Sequence, residues 1–132
     1  MANEAILSTR LQDRLPECTV AAGVTIEKGT LLKLSDPNTG AASAADGDIP
    51  LGIASYEKDA TDSSTKLSYW TQGIFNIKCD GTGVTVGDPL KIGGANLVSV
   101  ADDATAAGLK EVLGYALQTG AASEVILVRL SL

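Results

Sequence analysis

The sequence predicts an all-β protein built from two tandem copies of one small strand-turn-strand unit, and three observations carry that prediction. The first is the stretch from Gly23 to Leu34, where Val24 and Ile26 alternate with polar residues, a Lys28-Gly29 turn intervenes, and Leu32 and Leu34 resume the alternation. Period-two spacing on both sides of a glycine free to take positive φ is the pattern of half-buried strands around a tight turn. The second is the return of that phrase at Gly83 to Ile92. Gly29, Leu32, Lys33 and Leu34 fall on Gly87, Leu90, Lys91 and Ile92, each 58 positions on (87 − 29 = 58). The third is a later pair of phrases, Leu51-Gly52-Ile53-Ala54 and Leu113-Gly114-Tyr115-Ala116, at an offset of 62 (113 − 51 = 62). The second copy therefore carries four extra residues (62 − 58 = 4) between its two phrases.

A chain of 132 residues is one domain of ordinary size, and neither half alone is long enough to bury a secure core. The expected organisation is an N-terminal arm over 1–18 and a single β domain over 19–132, with repeats at about 19–78 and 79–132. Aromatic residues are only 4% of the chain, so the core must be made of Val, Ile, Leu and Ala. The net charge of −6 leaves no basic stripe to displace counterions, which argues against direct nucleic-acid binding. No run approaches the ~18 apolar residues of a membrane span. The first residues lack the pattern of a secretory signal, so synthesis and use in a reducing compartment are expected.

In chain order, Leu7, Leu11 and Leu15 recur every four residues, but Ser8, Thr9 and the preproline position of Leu15 favour extended backbone. Met1 to Pro16 is read either as a frayed terminus or as an arm that docks on a partner. Strands are expected at Thr19–Val24, Leu31–Ser35, Gly52–Glu57 and Leu67–Trp70, with a turn over Asp36-Pro37-Asn38-Thr39-Gly40. Gly40 to Asp48 holds only Ala, Ser, Gly and Asp and reads as a mobile surface loop. Gly73 to Cys79 reads as a strand joining the halves, with Phe75, Ile77 and Cys79 on one face. Further strands are expected at Leu90–Ile92, Asn96–Val100, Gly114–Gln118 and Val125–Leu130. Between them, Asp102 to Gly108 can form one helical turn, capped by Asp and stopped by Gly. Val125-Ile126-Leu127-Val128 is apolar at every position, so this strand is buried on both faces, inside the domain or against another chain. Ile126, Val128 and Leu130 are taken as a candidate oligomer interface.

The chemistry of catalysis is missing from the pattern. There is no histidine, which removes the commonest general base and transition-metal ligand. No Gly-x-Ser-x-Gly elbow and no Walker phosphate loop occurs. Cys18 and Cys79 make neither a disulfide framework nor a metal motif, and a bridge between them stays open at this point. Asp46 and Asp48 are the nearest approach to a hard-cation site, but they lack a twelve-residue calcium loop and read as turn formers. Glu57-Lys58-Asp59-Ala60 faintly resembles the hairpin lysine of lipoyl and biotinyl carriers, except that Asp follows the lysine where Ala or Met belongs. No catalytic residue, cofactor or metal is assigned.

The run Ile26 to Pro37 resembles the capsid cement, or head decoration, proteins of tailed phages. So do Gly52-Ile53-Ala54, Glu57-Lys58, Gly73-Ile74-Phe75 and Val112 to Leu117, in an ordered set that spans about Ala2 to Leu130. Some members of that family have carried a recombinase label, against which the missing phosphate loop argues here. The resemblance implies a β-clip or tulip-like barrel related to lambda-type decoration proteins, on the outer surface of a mature virion and made in the host cytoplasm. It implies a homotrimer that bridges major capsid protein subunits. It also favours the docking-arm reading, with Ile6, Leu7, Arg10, Leu11, Arg14 and Leu15 as the capsid-binding residues. The alternatives are another virion part, such as a head-fibre base or tail component, and a cytoplasmic carrier module.

Overall fold

A computed structural model of the chain describes residues 15–61, 63–102 and 104–132. The first five strands are β1 (Glu17–Thr19), β2 (Leu31–Asp36), β3 (Thr39–Ala42), β4 (Pro50–Ala54) and β5 (Lys66–Trp70). They close a barrel in the order β1-β3-β2-β4-β5. The second five are β6 (Gln72–Cys79), β7 (Pro89–Gly94), β8 (Leu97–Val100), β9 (Gly114–Ala116) and β10 (Val125–Ser131), which close a second barrel as β10-β6-β8-β7-β9. Renaming β6 to β10 as β1 to β5 makes the two orders the same. The all-β class and the duplication read from sequence are both present, with each copy closing on itself.

The match extends to single hydrogen bonds. In the first copy the Gly29 N–H donates to Ala54 O and the Ala54 N–H to Thr30 O, both at 2.9 Å. In the second, Gly87 donates to Ala116 O at 2.8 Å and Ala116 to Asp88 O at 3.0 Å. Gly29 has φ 89° and Gly87 φ 88°, a backbone that only glycine takes without strain, and this is what the repeated Gly encodes. The Leu-Gly phrases have a different cause. A Cβ on Gly52 would run into the Trp70 carbonyl, and one on Gly114 into the Arg129 carbonyl, so β4 and β9 can lie against β5 and β10 only with glycine there.

Several expectations shift. The boundary at residue 78 falls inside β6, which belongs wholly to the second barrel because it is the counterpart of β1; the chain crosses between barrels at Thr71. The first strand lies at Glu17–Thr19 and not Thr19–Val24, so residues 17 and 18 are part of the first barrel and not of an arm. The presumed loop at Gly40 to Asp48 begins with a strand, β3, held by β2 on one side and by β1 in parallel on the other. The helical turn is α1 (Ala106–Leu109), capped by the Thr105 hydroxyl and not by Asp102, and Gly108 lies within it. Its N–H bonds to Thr105 Oγ1 at 3.0 Å, and a Cβ there would strike the Asp102 carbonyl.

The first barrel is filled by Cys18, Val20, Ile26, Leu32, Leu67 and Tyr69. The second is filled by Ile77, Cys79, Leu90, Ile92, Val98, Leu113 and the inward residues of β10. Each buried aliphatic side chain contributes about 1.5–3 kcal/mol relative to exposure. Two residues cross over: Leu31 and Ile53 belong to strands of the first barrel but pack with the core of the second. That shared packing joins the halves.

Candidate functional site

Among the described residues, the groups that could do chemistry are either buried or engaged in turns. Among the described residues no three of His, Cys, Asp or Glu gather as a metal site. Cys18 and Cys79 are free thiols, each in the core of a different barrel, which answers the question of a bridge. Burial pushes both thiols above their ordinary pKa, the opposite of what a nucleophile needs. Lys58, the residue a carrier domain would display, is 1% exposed. Its ammonium donates to Ala22 O at 2.7 Å and Val24 O at 3.0 Å, so it ties down the loop before Ile26.

The aspartates hold turns. Asp48 Oδ2 accepts from the N–H groups of Ala44 and Ala45 at 2.9 Å each and lies 3.9 Å from Lys33 Nζ. Burial alone would raise this carboxyl, but the two N–H donors and Lys33 outweigh it and leave the pKa below the usual carboxylate value. Asp80 follows the same rule, with burial outweighed by Thr82, Ser99 and Gly83. Asp46 pairs with Lys91 at 3.1 Å across the barrel-barrel contact.

What the molecule offers is contact surface. Of the expected arm, Ile6, Leu7, Arg10, Leu11 and Arg14 lie outside the described residues, and Leu15 is half-buried just before β1. Ile126, Val128 and Leu130 do not form a surface: they are at most 1% exposed and point into the second barrel. The reason is the two-residue alternation of β10, which turns Val125 and Arg129 outward instead. Val125 is 60% exposed and Ile74 61% exposed. Ile74 pairs with Arg129 and lines a depression of about 460 Å³ together with Gln72, Gly73, Leu130 and Ser131.

The contact between the barrels is asymmetric. The tip of the β7–β8 hairpin reaches the first barrel through Asn96, whose Oδ1 accepts from Leu31 N–H at 2.8 Å and whose own N–H donates to Ser43 Oγ at 3.0 Å. The β3–β4 loop returns the contact, with Gly47 N–H donating to Ile92 O at 2.9 Å. Sequence reasoning missed Asn96 and this seat. The signal available was that Leu31 and Ile53 stand opposite Pro89 and Tyr115 in the other copy, which marks a face used differently by the two halves. In the second barrel that face is an open depression of about 340 Å³ lined by Gly87, Pro89, Val112, Gly114, Tyr115 and Ser131.

A nearly full-length relationship accompanies this geometry. No curated protein sequence matches the chain. Among solved structures, the head fiber gp8.5 N base of bacteriophage phi29 is similar in fold, with a TM-score of 0.57 over 89% of this chain and 95% of that one, at 20% identity. The family model described as phage cement protein matches residues 12–131, both barrels included. The chain belongs to the phage cement protein family.

Proposed function

We propose that the protein is a capsid cement protein: it binds the outer surface of a mature phage head, bridges neighbouring major capsid subunits as a homotrimer, and stabilises the shell without catalysis. The observation that carries this reading is the family match across residues 12–131. Support comes from surfaces that carry exposed Ile74, Val86 and Val125 with no reactive constellation beside them among the described residues. The arm residues Ile6, Leu7, Arg10, Leu11, Arg14 and Leu15 would supply further contacts along the capsid.

The mechanism is linkage. A ligand that binds only the expanded lattice stabilises that lattice by its binding free energy, summed over many sites. Co-sedimentation of the purified chain with expanded and with compact precursor shells of its phage tests this. Binding to the expanded form alone is expected, with a rise in shell disruption temperature; equal binding to both forms would overturn the mechanism. The phi29 likeness favours a second reading, the base of a head fibre. Electron microscopy of particles separates the two, because a fibre base carries a projection and a cement protein fills lattice gaps.

A further inference from the structure

The two barrels of one chain meet through unlike faces, and each of those faces has a counterpart left uncovered on the other barrel. The first barrel offers its outer wall, Leu31 and Ile53, which are 2% and 3% exposed because the second barrel covers them. The second barrel offers its end, the β7–β8 hairpin, where Ile92 O accepts from Gly47 N–H of the β3–β4 loop and the Ile92 side chain, 0% exposed, joins the core cluster that holds Leu31 and Ile53. The repeat then identifies the unused pair. On the second barrel the outer wall is Pro89 (89 − 31 = 58) and Tyr115 (115 − 53 = 62), and Tyr115 is 39% exposed. On the first barrel the end is the β2–β3 hairpin with Leu34 (92 − 34 = 58), 41% exposed. Asn38 at its tip has φ 49°, against 55° for Asn96, so the two hairpin tips share a backbone shape.

We propose that a second copy of this chain completes the pattern: the Leu34 end of the first barrel in one copy seats on the Pro89–Tyr115 wall of the second barrel in the next. This deepens the homotrimer reading by naming the faces that meet. Such a contact is heterologous, since the two patches differ, and it closes into a ring when the rotation permits. Three copies of two barrels each make a ring of six barrels (3 × 2 = 6), in which contacts within and between chains alternate.

The between-chain contact differs from its internal template in one predictable respect. Pro89 has no N–H to match that of Leu31, and Ala101 stands where Ser43 gives its hydroxyl (101 − 43 = 58). Neither bond made by Asn96 can be reproduced by Asn38. The contact between chains is therefore apolar, weaker than the one within, and little affected by salt.

Sedimentation of the isolated chain, with no capsid present, tests the proposal. The native chain is expected to be oligomeric. Leu34→Glu and Tyr115→Glu should each give monomers, because a carboxylate buried without a partner weakens the contact by on the order of a hundredfold or more. Both side chains are partly exposed in the single chain, so the fold, read by far-ultraviolet circular dichroism, should be unchanged. Val24→Glu, an exposed substitution in the loop before Ile26, beside Lys58 and not on the β2–β3 hairpin or the Pro89–Tyr115 wall, should leave the oligomer intact. An oligomer that survives either Leu34→Glu or Tyr115→Glu overturns the pairing and leaves the homotrimer standing. A monomeric native chain overturns both.

Discussion

Replacing Lys58 by Met keeps the aliphatic stem and removes the ammonium, and the structure says what that should cost. The group is 1% exposed and donates to two carbonyls, Ala22 O at 2.7 Å and Val24 O at 3.0 Å. A hydrogen bond from a charged donor is worth about 1.5–3 kcal/mol net, and losing two would cost up to ~6 kcal/mol. Ala22 and Val24 are themselves exposed, so water can take up part of what their carbonyls lose. The loss is therefore expected near the lower bound, about 3 kcal/mol. For a chain of this length ~4 °C of Tm per kcal/mol is appropriate, which gives a fall of about 12 °C by calorimetry. Gly120 occupies the matching place in the second barrel, paired with Val84 as Lys58 is with Ile26, so local opening read by hydrogen exchange should rise most around Ala22 to Ile26, with no matching rise around Val84. A Lys58→Met chain that melts within about 1 °C of native, or one whose local opening rises as much around Val84 as around Ile26, would refute the reasoning.

Gly52→Ala and Gly114→Ala each force a Cβ into a backbone carbonyl on the adjacent strand, so each should cost at least about 3 kcal/mol in urea unfolding. Asn96→Ala removes the acceptor for Leu31 N–H and places alanine at φ 55°; together these should destabilise by about 2 kcal/mol, and Asn96→Gly should recover the backbone share. Cys18 and Cys79 should resist thiol reagents in the folded chain, where both are fully buried, and react once urea unfolds it. Asp48 and Asp80 have folded pKa values below the ordinary one, so their contribution is present above the unfolded aspartate pKa and is lost as pH falls through the folded value. Asp48→Asn and Asp80→Asn should flatten the acid limb of a stability-against-pH curve; an unchanged limb would count against that assignment.

The parts legible in the sequence were those where one residue type is physically compelled. Gly29 and Gly87 were visible because positive φ excludes other residues, and Gly52 and Gly114 because two backbones meet. The strands with strong alternation, β2, β6 and β7, were found within a few residues of their bounds. Strand β3 was not, because Thr39-Gly40-Ala41-Ala42 has almost no intrinsic strand preference and is held by its neighbours instead. Its counterpart Leu97–Val100 did read as a strand, so carrying the 58-residue offset through (97 − 39 = 58) would have recovered it. The face of β10 went wrong for a related reason. Four consecutive apolar residues carry no period, and only the closed barrel decides that Ile126 points in and Val125 out. The barrel-barrel seat left one trace, the replacement of Leu31 and Ile53 by Pro89 and Tyr115 in the other copy, but its contacts could not be read because Asn96 arrives from 65 residues away.

Both sheets close, and closure has a consequence for life in a crowd. An open sheet carries a row of unpaired N–H and C=O groups at its margin, and neighbours held at high density can zip together there without limit. Here every named strand has a partner on each side, so none of the ten is an edge strand along its whole length, although β6 meets β8 only at Lys78 and Cys79. Copies held close together therefore have little open sheet margin to pair through, which works against fibril growth.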